Sequence, residues 1–318
     1  MKLVVLDAKT LGSISFEPLN QFGEVTLYPT TQEHEVLERI KGYDIVLSNK
    51  VMLKGETLSQ AGNIKLIVVL ATGYNNVDIP YCKEHNIAVC NVSGYSTQTV
   101  TQQTVALLLE LYNKIHLFDQ YIKSGTYSTS GLFTCVGGMY DIHDISGKRW
   151  TIVGLGAIGK SVARVAQAFG ADVKYYSTTG NHDDSDFTRV SFDEMVKESD
   201  IISIHCPLNE KTKGMFNYEM LKQMKSSVVI INVARGPVVV CEDMVKALNE
   251  QLIGGYATDV FDKEPIEKDN LYLTVDPSKI VMSPHIGWAT VEARERLFAE
   301  VIKNIVAFLN NEKRNRIV

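Results

Sequence analysis

Three polar side chains in the C-terminal third could do chemistry together. Arg235 lies in Asn232-Val233-Ala234-Arg235-Gly236, Glu264 in Asp259-Val260-Phe261-Asp262-Lys263-Glu264-Pro265, and His285 in Ser283-Pro284-His285-Ile286-Gly287-Trp288. Each follows a short apolar run that reads as a strand, so all three fall just past strand carboxyl ends, where open α/β sheets bind ligands. An Arg fork matches a carboxylate and a neighbouring carbonyl oxygen. A His titrates near neutrality and can pass a proton. A carboxylate beside such a His fixes its ring and favours the charged form. The set suits reduction of a 2-oxo acid with hydride arriving from a nicotinamide on the opposite side. Singly, a loop Arg is commonly a surface ion pair and a lone His a structural one; only the combination points to chemistry.

The glycines upstream supply the hydride carrier. Gly154-Leu155-Gly156-Ala157-Ile158-Gly159 stands between a strand expected at 150–153 and a helix expected at 158–169. In that context Gly154 permits the tight turn, Gly156 lets the backbone approach a pyrophosphate, and Gly159 lets helix and strand pack. The helix start, with Ala157 and Ile158, offers N–H groups and positive dipole to the anion. An acidic residue normally meets the adenosine ribose at the end of the next strand. Here Ser177 stands at that point, in Tyr175-Tyr176-Ser177-Thr178-Thr179, and no Lys or Arg follows until Arg189. NAD is the expected cofactor, and Ser177 leaves NADP open.

These residues need a parallel sheet to position them. Apolar runs at 3–6, 45–47, 66–70 and 88–92, then at 150–153, 173–176, 201–205, 228–233, 255–260 and 280–283, alternate with helical patterns. That alternation marks an α/β fold with parallel strands. One helix is expected over 99–122, where Val100, Val105, Leu108, Tyr112, Ile115, Phe118 and Ile122 recur near a 3.6 period, and an amphipathic helix closes the chain over 290–310. Between them, residues 124–146 lose periodicity and carry Gly125, Gly131, Gly137 and Gly138 with Tyr127, Phe133 and Tyr140. A loop of that length is unusual inside a compact domain and reads as an arm packing on a second subunit.

Composition narrows the partners. In 318 residues, 32 Lys and Arg face 37 Asp and Glu, a net charge of −5, so no basic surplus favours nucleic acid. No apolar run reaches the roughly 18 residues of a membrane span, and the apolar start at Met1 is too short for a signal peptide. Cys82, Cys90, Cys135, Cys206 and Cys241 are odd in number and scattered. Neither a metal site nor a disulfide framework is expected, and a reducing cytoplasm fits.

The motifs at 154–159, 232–236, 259–265 and 284–287 resemble those of the D-isomer-specific 2-hydroxyacid dehydrogenases, with a match over nearly the whole chain. The resemblance implies that Arg235 binds substrate, that Glu264 pairs with His285, and that His285 is the acid/base and meets substrate and cofactor. It sets Asp259 and Gly287 beside the nicotinamide, and Cys206, Pro207, Thr212, Val233, Ala234 and Arg235 along the cofactor cleft. The segment Ala71-Thr72-Gly73-Tyr74-Asn75-Asn76-Val77-Asp78 is similar to a family loop whose N–H groups, here at Thr72 and Gly73, receive the substrate carboxylate. The implied plan is a Rossmann-type nucleotide-binding domain (99–287) inserted into a smaller flavodoxin-like substrate domain (1–98 with 288–318). A dimerisation arm at 119–147 would make a homodimer.

Within the family, stretches such as Ser48-Asn49-Lys50-Val51 and Gly287-Trp288-Ala289-Thr290 resemble the glycerate dehydrogenases, which are hydroxypyruvate reductases. The implied partner is a small 2-oxo or 2-hydroxy acid, with D-lactate and other D-2-hydroxy acids as alternatives. Two other readings share these motifs: an NAD-sensing co-repressor of the same fold, and a formate dehydrogenase, which uses Gln where this chain has Glu264.

Overall fold

The computed structural model describes residues 1–134, 139–180 and 183–318. Cys135, Gly137 and Gly138 lie outside the described residues. The chain divides into two compact units, one of Met1–Ser96 with Ala289–Val318 and one of Thr97–Trp288. Each is built on its own parallel sheet.

The first unit contains β1 (Lys2–Val5), β2 (Glu24–Leu27), β3 (Ile45–Ser48), β4 (Leu66–Val69) and β5 (Ala88–Cys90), in the spatial order β2-β1-β3-β4-β5. This is the flavodoxin-like order. Every side chain of β3 and β4 is buried, because helices or loops cover both faces of a parallel sheet; that is why these strands read as unbroken apolar runs. The closing helix, Val291–Leu309, belongs to this unit: Asn304 Nδ2 donates to the Asn91 carbonyl at 2.9 Å, and Arg296 Nε donates to the Tyr95 carbonyl at 3.1 Å.

The second unit contains β6 (Arg149–Val153), β7 (Asp172–Tyr176), β8 (Thr188–Arg189), β9 (Ile201–Ile204), β10 (Val229–Asn232), β11 (Gly255–Thr258) and β12 (Ile280–Met282). Their order is β12-β11-β10-β9-β6-β7-β8, all parallel. Read from β8, the first six strands follow the Rossmann order 3-2-1-4-5-6, with the reversal of direction falling between β6 and β9.

Three features differ from the sequence expectation. Strands β2 and β8 lie outside the apolar runs. Both are sheet-edge strands with largely exposed side chains, and an edge needs no apolar pattern. The single helix expected over 99–122 is two helices, Thr97–Asn113 and Ile115–Lys123. Lys114 sits between them with φ +54°, its ammonium donating to the Ser278 carbonyl. Glu110 then accepts the His116 N–H at 3.0 Å and starts the second helix. The apolar spacing runs on across this break, so periodicity does not register it. Within 124–146, Thr126–Thr129 forms one short helical turn.

A half-buried histidine, its Nδ1 shielded from solvent, follows the end of β9. His205 Nε2 meets Ser203 Oγ at 2.9 Å, and the same oxygen accepts the Trp150 indole N–H at 2.9 Å. His205 Nδ1 is buried with no hydrogen-bond partner among the described residues. Burial pushes the imidazole down to about 3, so the ring stays neutral in the folded chain. An unfolded His takes its proton near pH ~6.5. The contribution is therefore fully present above that pH and is lost as pH falls toward 3. His205→Phe is expected to flatten the dependence of unfolding free energy on pH across this window, by up to about 1.4 kcal/mol per pH unit. An unchanged slope in pH-dependent denaturation would show that the folded ring takes up its proton.

Candidate active site

Because β10, β11 and β12 are parallel neighbours, their carboxyl ends come out side by side: Asn232 pairs with Thr258, and Thr258 with Met282. Arg235, Glu264 and His285 sit on the three loops that leave this edge. The Arg235 loop is braced by Asn232, whose Oδ1 accepts the Ala234 N–H at 3.1 Å and whose Nδ2 donates to the Arg235 carbonyl at 3.0 Å. Arg235 Nη1 donates to the Ala234 carbonyl at 2.7 Å. A Cβ on Gly236 would lie 2.1 Å from the Phe261 carbonyl carbon, so only glycine lets this loop lie against the next one.

Glu264 and His285 meet directly. Glu264 Oε2 is 2.6 Å from His285 Nδ1, and Glu264 Oε1 accepts the Phe261 N–H at 3.2 Å. An ionised carboxylate only accepts, so Nδ1 carries the proton of this bond and Nε2 is left for other work. The two side chains keep 32% and 23% of their surface in solvent, enough to be reached. Arg235 leaves the sheet on the loop next to that of Glu264, so the sheet edge brings the three residues out on neighbouring loops.

His285 has φ +54°, an uncommon conformation for a residue with a Cβ, at a cost on the order of 1–3 kcal/mol. Asp259 holds it there. Asp259 is 2% exposed; its Oδ1 accepts the Ile286 N–H at 2.9 Å and the Ser283 hydroxyl at 2.6 Å, and its Oδ2 accepts the Gly287 N–H at 2.7 Å. Burial raises the carboxyl's pKa, and these three donors oppose the rise. A Cβ on Gly287 would lie 2.8 Å from Asp259 Oδ2, so the glycine serves this close approach. Asp259 and Gly287, expected beside a nicotinamide, are thus bonded to each other around the His285 turn. Sequence reasoning missed Asn232, Ser283 and Gln103, which have structural partners here but no catalytic type of their own; Gln103 Nε2 reaches Ser283 Oγ at 2.9 Å.

The glycine loop lies at the reversal between β6 and β9. Gly154 has φ +92°, and a Cβ there would lie 2.9 Å from the Cys206 amide nitrogen. A Cβ on Gly159 would lie 2.1 Å from the Gly154 carbonyl oxygen, whereas one on Gly156 would meet nothing within 4 Å. The helix Ala157–Ala168 starts here, with Gly156 at its N-cap, Ala157 exposed and Ile158 half-buried. Cys206 is buried, and burial pushes its thiol up to about 11. Pro207 is exposed, Val233 half-buried and Ala234 buried. Thr212 is fully buried, and its hydroxyl donates to the Pro207 carbonyl at 2.7 Å, which shapes this loop from within. Ser177 is half-buried past the end of β7, with its Oγ 3.5 Å from Thr179 Oγ1.

In the other unit, Thr72 and Gly73 follow β4. Thr72 Oγ1 donates to the Val92 carbonyl at 2.9 Å, and the Thr72 carbonyl accepts Asn91 Nδ2 at 2.7 Å. These bonds fix the turn by its hydroxyl and carbonyl.

A Rossmann-ordered sheet with its glycine loop at the topological reversal, and a carboxylate–imidazole pair further along the same edge, defines a dinucleotide-dependent oxidoreductase architecture. The description "D-isomer specific 2-hydroxyacid dehydrogenase, NAD binding domain" matches residues 105–287. The chain is 36% identical to a hydroxypyruvate reductase of Blautia hydrogenotrophica, covering 99% of each chain. It is 33% identical to a glycerate dehydrogenase of Methylorubrum extorquens, covering 99% of this chain and 98% of that one. Among solved structures, it is similar to an acyclic imino acid reductase in complex with NADPH and D-Arg, with a TM-score of 0.88, 26% identity and full coverage of both chains. The chain belongs to the D-isomer-specific 2-hydroxyacid dehydrogenase family.

The glycine loop fits the nicotinamide cofactor of this family. At Gly156 the space that a side chain would fill is open, next to the free N–H groups of a helix start. Gly156 has φ −76°, which any residue can adopt. Gly156→Ala is therefore expected to keep the wild-type thermal midpoint and to weaken NADH binding at least tenfold in a fluorescence titration. Gly159→Ala should instead lower the midpoint itself, because its Cβ strikes backbone. Wild-type NADH affinity in Gly156→Ala would place the pyrophosphate elsewhere.

Proposed function

We propose that this protein catalyses reversible hydride transfer between a nicotinamide cofactor and a small D-2-hydroxy acid, with hydroxypyruvate and D-glycerate as its substrate pair. The observation that carries the reading is the Glu264–His285 pair at 2.6 Å, on the loops one and two strands over from Arg235 on the same sheet edge. The names of its hydroxypyruvate reductase and glycerate dehydrogenase relatives support the substrate.

On this reading the bound nicotinamide supplies or accepts the hydride at C2. Arg235 holds the carboxylate and the carbonyl oxygen with its planar fork and stabilises charge that grows on that oxygen. His285 delivers a proton to the oxygen through Nε2 during reduction and removes it during oxidation. Glu264 fixes the tautomer and ring orientation through Nδ1. We propose that the turn at Thr72 and Gly73 offers N–H groups to a carboxylate. His285→Ala should lower turnover with hydroxypyruvate by roughly 10²–10⁴-fold with NADH still bound. Turnover within a few-fold of wild type would remove His285 from the chemistry. A parallel panel of hydroxypyruvate, pyruvate, glyoxylate and phenylpyruvate should give the highest kcat/KM with hydroxypyruvate.

NAD is the proposed cofactor. Near the end of β7, Arg189 Nη1 is held by Asp183 at 3.0 Å and by the Gly180 carbonyl at 2.9 Å, and Lys160 is held by Asp184 at 2.7 Å. These cations are engaged by aspartates, which repel rather than receive a 2′-phosphate.

The protein is proposed to act as a homodimer in a reducing cytoplasm. The described thiols Cys82, Cys90, Cys206 and Cys241 are free and buried. Ile122, Leu132, Phe133, Met139 and Ile142 expose apolar side chains along the arm, Phe133 at 99%, and Ile115 does so just before it. Exposed apolar side chains along one segment are surface that a second subunit can cover. Light scattering after gel filtration should give a dimer for the wild type and a monomer for Phe133→Asp. A monomeric wild type at micromolar concentration would contradict the arrangement.

A further inference from the structure

The left-handed turn that presents His285 is held from one side by a chain of side chains that ends on a different element. Thr258 O accepts the Ser283 N–H at 2.9 Å, and Ser283 O accepts the His285 N–H at 3.0 Å, so the approach to His285 is tied to β11. Beyond His285, the N–H groups of Ile286 and Gly287 both end on Asp259, whose own N–H is anchored on the Asn232 carbonyl at 3.0 Å. Ser283 joins the two sides: its hydroxyl reaches Asp259 Oδ1 at 2.6 Å. A hydroxyl has one proton to give. Gln103, on the helix Thr97–Asn113, donates its amide N–H to Ser283 Oγ at 2.9 Å and occupies an acceptor site of that oxygen. The serine proton is thereby directed to the carboxylate, and the order of donation runs Gln103 to Ser283 to Asp259.

We propose that Gln103 and Ser283 are positioning residues for the reaction: through Asp259 they lock the Ser283–Gly287 turn so that the His285 ring stands where the substrate proton is exchanged. The proposal rests on the reading of His285 as acid/base. Neither residue has a reactive role of its own. Their effect is geometric, and misplacement of a reacting group by about 1 Å can cost ~10²-fold in rate.

Ser283→Ala removes the link between the two sides of the turn while leaving the backbone bonds. It should lower kcat for hydroxypyruvate reduction by about 10–100-fold, with the KM for the oxo acid and the NADH Kd both within twofold of wild type. Ser283→Thr keeps a hydroxyl and should recover kcat to within threefold. Gln103→Met keeps the bulk but loses the donor, and should give a smaller fall in kcat in the same pattern. A Ser283→Ala enzyme with wild-type kcat would overturn the proposal. So would a loss that Ser283→Thr does not recover, or one carried by KM and NADH affinity. His285→Ala, run beside these variants, tests the underlying reading separately: if it retains turnover, the acid/base assignment fails, whereas a dead His285→Ala beside a fully active Ser283→Ala rejects only the latch.

Discussion

In an all-parallel sheet every strand delivers its carboxyl end to the same edge, and that constraint underlies the whole candidate site. In the second unit the glycine loop, the Arg235 loop, the Glu264 loop and the His285 turn leave that edge from β6, β10, β11 and β12. Residues more than a hundred positions apart become neighbours without any local sequence signal linking them. The reversal of strand order between β6 and β9 then opens a gap for a dinucleotide at one place along the edge, with the Glu264–His285 pair a few strands away. Catalysis by this chain is a matter of loops held in register by strands that have no chemistry themselves.

What the loops add is restraint. Arg235 is framed by the Asn232 amide, Glu264 is tied back to Phe261, and His285 is caught between Ser283 and Asp259. Asp259 is the least dispensable of these. It is a buried carboxylate, which would be costly alone, but both of its oxygens are occupied by donors from the turn it holds. These three bonds offset part of the cost of that burial and hold in place a left-handed residue whose strain is on the order of 1–3 kcal/mol. Glycines complete the arrangement where backbones must come close: Gly236 against Phe261, and Gly287 against Asp259.

Much of this was legible in the sequence. Strands β3, β4, β9 and β10 are buried on both faces, so each declares itself as an apolar run. Gly154, Gly156 and Gly159 are readable because spacing and context follow from the turn they make. Arg235, Glu264 and His285 are readable only as a set, because all three fall just past strand ends downstream of the glycine fingerprint. The edge strands β2 and β8 were not, since an edge imposes no pattern. Nor was the break at Lys114, which a side-chain bond to Ser278 stabilises. The link from Gln103 to Ser283 spans 180 positions and joins two ordinary polar residues, so only the fold reveals it. Asp259 and Gly287 were singled out, yet their bond to each other was not foreseen, because it depends on how β11 and β12 lie side by side.

On the proposed mechanism this edge presents one face of a 2-oxo acid to hydride and the other side of its carbonyl oxygen to Arg235 and His285. The most direct measurement is the configuration of the product. The purified enzyme would be incubated with hydroxypyruvate and NADH, and the glycerate formed resolved by chiral chromatography. The expected result is D-glycerate alone, formed in step with NADH oxidation. L-glycerate, a racemic product, or no glycerate in the presence of bound NADH would contradict the account.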